Sequence, residues 1–365
     1  MKKKIVNVAV VGTGFGSISH IPAFNSHKKV KILAICGRNL KKINFLKKKY
    51  KIKYAFLDYE KVLKLKKVDL ISLAIPPHLQ YYYVKKAVEY NKHILCEKPF
   101  TTDSKLSIKL HKKINKKKII GAVGYQMRFH PLRIKIKEII KKGLLGKIES
   151  VHLSYDFTTR LYKEVKWNWW SNKLQGGGAL NALGSHQIDL LHWWLGEIDS
   201  VFGKSKTTIE KRLSKKSNKI RKVTSDDIIQ AVLFFRKNFN CTFSISSSAI
   251  GWKTSIMQIY GTKAALFLDG ENKLSMIKKT HINKQEKGKI IKFKIYDPIF
   301  KKKWVDKSIW RASFFHQINN LVNAIINKEK YLGAKFYDGY KVRKVIEKIL
   351  ESSKKNKMLK VNYES

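Results

Sequence analysis

The sequence predicts an α/β chain: a doubly wound parallel sheet in the N-terminal part, then a second domain built on a mostly antiparallel sheet. Three observations carry this expectation. Short β-branched runs alternate with helical stretches as far as residue 125, and a glycine-rich turn separates the first run from the first helix. From residue 148 the segments lengthen and alternate apolar with polar residues, as half-buried antiparallel strands do. At 365 residues and 42.4 kDa the chain is long enough for two separate cores.

Ile5 to Val11 reads as the first strand, and Gly12-Thr13-Gly14-Phe15-Gly16-Ser17 as a turn into a helix marked by Ile18, Ile21 and Phe24. Strands follow at Val30 to Cys36, Val68 to Ala74, His93 to Leu95 and Ile119 to Tyr125, with helices at Lys41 to Tyr50, Leu79 to Tyr90 and Ser104 to Asn115. A helix begins at Pro131 and stops at Gly143. The second domain then offers strands at Ile148 to Phe157, Ile198 to Thr208, Asp227 to Phe235, Phe239 to Ser247, Ser255 to Tyr260 and Ala264 to Asp269. Ser185 to Leu195 reads as a helix with Ser185 as N-cap and Gly196 as C-cap, while Phe314 to Asn327 and Tyr337 to Ser352 read as closing helices. The basic stretches 204–222 and 278–303 read as solvated hairpin connections.

Composition narrows the class of function. Hydrophobic residues make up 44% of the chain, which excludes disordered and collagen-like classes. Asn7 interrupts the apolar run after the opening lysines and no small-residue cleavage site follows, so an export signal is not expected, and no stretch has the length of a membrane span. Three widely spaced cysteines without a CxxC pair imply neither a disulfide framework nor a zinc site, so no metal is expected and a cytoplasmic setting fits. The net charge of +51 raises nucleic acid as a partner, but lysines are spread along the whole chain without a binding motif. Arginine, the better phosphate and base reader, is sparse, so no specific nucleic-acid partner is expected.

Three constellations carry chemistry. Gly12-x-Gly14, with Phe15 and Gly16 in the same turn, allows close approach of a pyrophosphate to backbone at a helix start, although the third small position of the fingerprint is Ser17. Where an acidic residue would accept the ribose 2′-hydroxyl of NAD stand Gly37 and Arg38, which favours NADP over NAD. Glu97-Lys98-Pro99 closes the strand at His93 and puts a lysine at the carboxyl end of a buried parallel strand, where open sheets bind ligands. Finally, Gly176-Gly177-Gly178 leads to Ser185-His186. An N-cap at Ser185 would put His186 in the first helical turn, where the dipole favours a neutral imidazole, and Asp189 shares its face.

The series GTGFGS, CEKP, GYQMRFHP and GGGALNALGSHQID, in this order, resembles the glucose-fructose oxidoreductase/inositol dehydrogenase family, also called Gfo/Idh/MocA. The resemblance extends to Ile259-Tyr260-Gly261-Thr262-Lys263 and Tyr337-Asp338-Gly339, and so spans nearly the whole chain. It implies an N-terminal Rossmann domain over residues 1–124 and a C-terminal α/β domain with a large mostly antiparallel sheet over 125–365. It further implies a homodimer or homotetramer, and hydride transfer between nicotinamide and a hydroxyl or keto carbon of a sugar, an inositol or a sugar derivative.

By that resemblance Lys98 and His186 are the catalytic pair, with His186 taking the hydroxyl proton and Lys98 stabilising the alkoxide. Gly12, Gly14, Phe15, Gly16, Arg38, Pro76, Pro77, His78, Glu97, Lys98 and Gln126 fall on cofactor-facing positions; Arg128, Asp156, Trp169 and Asp189 fall on the substrate side. Trp167, Trp169 and Trp170 would form an apolar wall for a sugar ring. One departure stands out: many dehydrogenases of the family carry aspartate four residues before the histidine, and here that position is Ala182. That change supports an alternative reading, a non-catalytic dinucleotide-sensing protein on the same fold, and a glycosidase that uses bound NAD for transient oxidation is a third.

Overall fold

A computed structural model of the protein describes residues 5–214, 217–251, 254–279, 290–293 and 308–364. The chain forms two compact units, Met1–His130 with Pro298–Lys341 and Pro131–Asp297 with Val342–Ser365. The sequence places all of 125–365 in a second domain, whereas the segment ending at Lys341 clusters with the first unit.

In the first unit six strands form one sheet: β1 (Val6–Val11), β2 (Val30–Cys36), β3 (Tyr54–Phe56), β4 (Leu70–Leu73), β5 (His93–Cys96) and β6 (Gly121–Val123). Their order is β3-β2-β1-β4-β5-β6 with every pairing parallel, the doubly wound order of a dinucleotide-binding sheet. The helices between them are α1 (Ile21–Asn25), α2 (Leu40–Lys49), α3 (Tyr59–Leu63), α4 (Pro77–Glu89) and α5 (Ser104–Asn115). A π-helical turn, Gly16–His20, runs directly into α1. Local chemistry fixes several of these starts. The Asn39 side chain accepts the Lys42 N–H at 2.9 Å to cap α2, and Asp103 accepts from Lys105 and Leu106 to cap α5. The three cysteines are buried and free.

The second unit opens with α6 (Pro131–Lys141), followed by β7 (Ile148–Asp156) and α7 (Ser185–Leu195). Then come β8 (Ile198–Lys206), β9 (Lys211–Leu213), β10 (Ile220–Lys222), β11 (Ile228–Phe235), β12 (Phe239–Ser246), β13 (Thr254–Gly261), β14 (Ala264–Asp269), β15 (Lys273–Lys278) and β16 (Ile290–Phe293). Gly143 and Gly146, both at positive φ, turn the chain from α6 into β7. The basic stretch 204–222 is the end of β8 plus the two-stranded β9–β10 hairpin, while most of 278–303 lies outside the described residues.

The chain returns to the first unit with α8 (Ile309–Asn327), whose Phe314, Ile318, Leu321 and Val322 join the core formed by Val6, Val8 and Val10 of β1. Next, α9 (Phe336–Lys355) is divided between the units at Lys341, and β17 (Leu359–Lys360) pairs with β8. The large sheet thus has nine strands in the order β16-β15-β14-β13-β7-β12-β11-β8-β17, antiparallel at every pairing except β7 with β12.

Candidate active site

The glycine turn sits where the strand order reverses. β1 has β2 on one side and β4 on the other, and the crevice outside their carboxyl ends is where such sheets take a ligand. Gly12 bridges the two neighbours: its N–H donates to the Cys36 carbonyl at 2.9 Å, and a Cβ built on it would stand 2.2 Å from the Ala74 carbonyl oxygen. Its φ of +101° adds a second reason for glycine. Gly14 differs, because a Cβ there would meet nothing within 4 Å. Packing does not require that glycine, whereas a ligand approaching the backbone would. The close-packing role of a fingerprint's third glycine belongs here to Gly16, whose Cβ would press on Ala74 Cβ at 3.2 Å and Val10 Cγ1 at 3.3 Å. Ser17 Oγ instead donates to the Thr13 and Gly14 carbonyls at 2.9 Å, stiffening the turn. The residues present therefore fit a pyrophosphate. Phe15 is exposed beside them.

Gly37 is also dictated by contact, since a Cβ would lie 2.7 Å from Thr13 Cγ2. The bulk of an acidic side chain is excluded there, and the exposed Arg38 follows immediately. After β4, Pro76 stands at the N-cap of α4, Pro77 is buried in its first turn and His78 is exposed.

Beyond β5, Glu97 is anchored by its N–H to the Leu73 carbonyl at 3.0 Å, and Lys98 follows in a bend with a cis Lys98-Pro99 bond. Lys98 is half-buried. Burial depresses its proton affinity below that of an ordinary lysine, and the Glu97 carboxylate opposes the change. Glu97 itself is buried, with Oε1 3.0 Å from His20 Nε2, while His20 Nδ1 lies 2.7 Å from Ser72 Oγ. Sequence reasoning missed His20 and Ser72; the available signal was a histidine in an apolar turn after a glycine fingerprint. Gln126 lies in the 3-10 turn Gln126–Phe129 with its side chain buried, and its Oε1 has no hydrogen-bond partner among the described residues. Arg128, expected on the substrate side, pairs with Asp338 at 3.1 Å. Burial would raise the Asp338 carboxyl, but Arg128 and the Lys335 N–H outweigh it and hold it below the usual carboxylate range.

Within the second unit, Asp156 ends β7 half-buried and accepts a hydrogen bond from the Ser154 hydroxyl. Trp169 is half-buried in the 3-10 turn Trp169–Ser171. Trp167 is held on the β9–β10 hairpin, with the Arg221 guanidinium 3.8 Å from its ring centroid and its indole N–H donating to the Lys222 carbonyl at 3.0 Å. Two of the three glycines are explained by protein rather than ligand: a Cβ on Gly177 would stand 2.0 Å from the Trp170 carbonyl oxygen, and one on Gly178 2.2 Å from Asp226 Oδ1.

The expectation that Ser185 caps a helix is corrected. Ser185 and Gly184 already have helical dihedrals, because a π-helical turn, Leu180–Gly184, runs continuously into α7. The cap is Asp226, absent from the sequence reading. Its Oδ2 accepts the Leu180 N–H at 2.7 Å and its carbonyl accepts the Ala179 N–H at 2.9 Å. His186 is thus beyond the first turn of the helical run, and the dipole argument for a neutral imidazole loses most of its force. His186 and Asp189 are both buried, as is Ala182. Asn181 does not take over the aspartate's place: its Nδ2 donates to the Gly177 carbonyl at 2.8 Å and its Oδ1 accepts from Arg343 at 2.7 Å. Among the described residues no cluster of His, Cys, Asp and Glu could hold a metal, and no helix is long and apolar enough to cross a membrane.

Comparison with known proteins agrees with the two sheets. Residues 6–125 match a family model described as oxidoreductase family, NAD-binding Rossmann fold, and residues 137–362 match one described as oxidoreductase family, C-terminal alpha/beta domain. An uncharacterized oxidoreductase of Synechocystis sp. is 31% identical over 272 residues, 74% of this chain and 73% of that protein. A levoglucosan dehydrogenase of Pseudarthrobacter phenanthrenivorans is 27% identical over 42% of this chain and 40% of its own length. Among solved structures, a levoglucosan dehydrogenase in complex with NADH and L-sorbose superposes with a TM-score of 0.88 at 19% identity, covering 98% of this chain and 99% of that one. An oxidoreductase domain protein from Kribbella flavida does so at 0.89 and 22% identity, covering 99% and 100%. At such identities the structures speak for the fold. The two family models account for most of the chain, which belongs to the Gfo/Idh/MocA oxidoreductase family, with an NAD-binding Rossmann domain and a C-terminal α/β domain.

Proposed function

We propose that this protein is an NAD(P)-dependent dehydrogenase or reductase of a sugar, inositol or related polyol, with Lys98 and His186 acting at the reacting oxygen. The observation that carries the reading is the glycine turn at the strand reversal, with Gly14 open to a ligand, followed after β5 by a lysine of depressed proton affinity. When bound, the dinucleotide supplies or accepts a hydride at its nicotinamide ring. The backbone at Gly12, Gly14 and Gly16 would carry the pyrophosphate, Arg38 a 2′-phosphate, and the Gln126 amide oxygen would accept from the nicotinamide end. Phe15, Pro76, Pro77, His78 and Glu97 complete the cofactor side. A lysine whose proton is loosened by burial is a better hydrogen-bond donor to a developing alkoxide than a solvated one, while a buried imidazole such as His186 takes or returns the hydroxyl proton. Asp156, Trp169 and Asp189 are the proposed substrate contacts; Arg128, already paired with Asp338, serves better to shape the turn that carries Gln126. Relatives named as levoglucosan dehydrogenases support a small carbohydrate as substrate class. The same reading puts the protein in the cytoplasm as a homodimer or homotetramer.

Fluorescence titration with NADPH and NADH at moderate salt, then addition of keto sugars and inososes to the bound form, tests it. Tighter binding of NADPH and oxidation by one sugar class are expected, with turnover lost in Lys98→Ala and His186→Ala. Absence of binding by either dinucleotide would refute the reading. One observation favours the dinucleotide-sensor alternative: Ala182 offers no acid to His186, and Asn181 is engaged elsewhere. Binding of cofactor without turnover on any sugar or polyol would select it.

A further inference from the structure

Glu97 has its carboxylate in a closed setting. The side chain is 9% exposed, its Oε1 meets His20 Nε2 at 3.0 Å, and a Cβ on Gly124 would lie 2.9 Å from the same oxygen. A carboxylate can only accept, so Nε2 of His20 carries a hydrogen toward it, while Nδ1 lies 2.7 Å from the Ser72 hydroxyl, a group that both donates and accepts. His20 is fully buried, with its ring centroid 4.8 Å from that of Phe314 and 5.7 Å from that of Phe15. Packing and two hydrogen bonds therefore fix the orientation of its ring.

Ser72, on β4, pairs in register with Leu95 of β5, the strand that Glu97 directly follows. Resting on the reading of Lys98 as the charge-stabilising group, we propose that His20 is a positioning residue for it: Ser72 and His20 anchor the Glu97 carboxylate and thereby set how tightly Lys98 holds its proton.

Cys96, His20 and Lys98 each interact with Glu97. Cys96 stays a neutral thiol, pushed well up by burial and then by Glu97 itself, and His20 meets the carboxylate as a donor. Lys98 is the cation acted on here, with burial loosening its proton and Glu97 tightening it. The balance depends on where the carboxylate points. A buried oxygen deprived of the imidazole N–H turns to the ammonium next in the chain, and Lys98 then keeps its proton to higher pH.

The test is the pH dependence of Lys98 acylation by a small anhydride, read by mass spectrometry of the peptide that carries it, in the wild type and in His20→Leu, His20→Gln and Ser72→Ala. The readout needs neither substrate nor turnover, so it stands even if no sugar is ever reduced. In His20→Leu the labelling midpoint is expected to rise by about one pH unit. Glutamine can place an amide N–H where Nε2 was, so His20→Gln restores the midpoint, and Ser72→Ala moves it upward by less. A purely structural role would lower the melting temperature of His20→Leu and leave the midpoint where it was. An unmoved or lowered midpoint in folded His20→Leu overturns the proposal; should that variant fail to fold, an unmoved midpoint in Ser72→Ala does so.

Discussion

Replacing Asp226 by asparagine should stabilise the protein above neutral pH and leave it unchanged in mild acid. The Asp226 carboxyl, 8% exposed, is raised from 3.8 to about 6, chiefly by burial, against the opposing hydrogen bond from the Leu180 N–H. A carboxyl that binds its proton more tightly in the folded than in the unfolded chain contributes stability fully present below pH 3.8, which is lost as pH rises toward 6. A rise of that size is equivalent to about 3 kcal/mol of preference for the protonated form. Asparagine keeps an oxygen for the Leu180 N–H without a charge to desolvate, so Asp226→Asn should gain up to about 3 kcal/mol over wild type at pH 8 and almost nothing at pH 4. Urea titration of both proteins at matched salt from pH 4 to pH 8 reads the difference, in which all other titrating groups cancel. An asparagine variant less stable than wild type at pH 8 would refute the reasoning, because the charged cap would then be worth more than its burial costs.

Gly12→Ala should cost about 3 kcal/mol or more and abolish dinucleotide binding, since its Cβ would lie 2.2 Å from a backbone oxygen at positive φ. Gly14→Ala, with nothing within 4 Å, should keep the wild-type melting temperature yet weaken NADPH and NADH binding; unchanged affinity by fluorescence titration would remove Gly14 from the cofactor side. Arg128→Met should destabilise by about 2 kcal/mol at pH 7 by removing the guanidinium that pairs with the Asp338 carboxylate. Because that carboxyl is held low, the loss should be full above pH 3.8 and fade as pH falls below it, which denaturation at pH 3 and pH 7 checks. Ala182→Asp restores an acid one turn before His186, and a several-fold rise in kcat on whichever sugar is turned over is expected, at a cost in stability from the buried charge; an unchanged kcat would show that His186 needs no such support.

The parts of the fold legible in the sequence are those whose ends carry their own chemistry. The bounds of β2, α5 and β14 agree to the residue with the reading: β2 is a β-branched run, Asp103 caps α5, and β14 is bounded by the turn at Thr262 and by Gly270. β3 and α3 escaped because three half-buried residues make no apolar run and five make no period. The return of α8 to the first unit was not legible either, since an apolar helix face does not name the surface it will cover. At the site, the fingerprint glycines, Glu97 and Lys98 were readable from motif and position. Ser72 and Asp226 were not, and Asp338 was read only as part of a resembling segment without a role, because each acts on a residue more than forty positions away through a bond that only the folded chain creates.

The two glycine clusters look alike as sequence and are opposite in physics. At Gly177 and Gly178 the space a side chain would take is filled by protein, the Trp170 carbonyl at the first and the Asp226 carboxylate at the second. Those glycines let the segment before His186 pass against its own neighbours, so a substitution there is a folding defect first. Around Gly12-Thr13-Gly14 the filled and empty positions alternate: Gly12 is closed by Ala74, Gly14 is open, and Gly16 is closed again by Ala74 and Val10. An open glycine flanked by closed ones has no packing reason to lack a side chain. It keeps backbone bare toward whatever lies outside the carboxyl ends of β1 and β4, the place where this strand order binds dinucleotides. The open space at one position, more than the count of glycines, is what separates a ligand-facing turn from a tightly packed one.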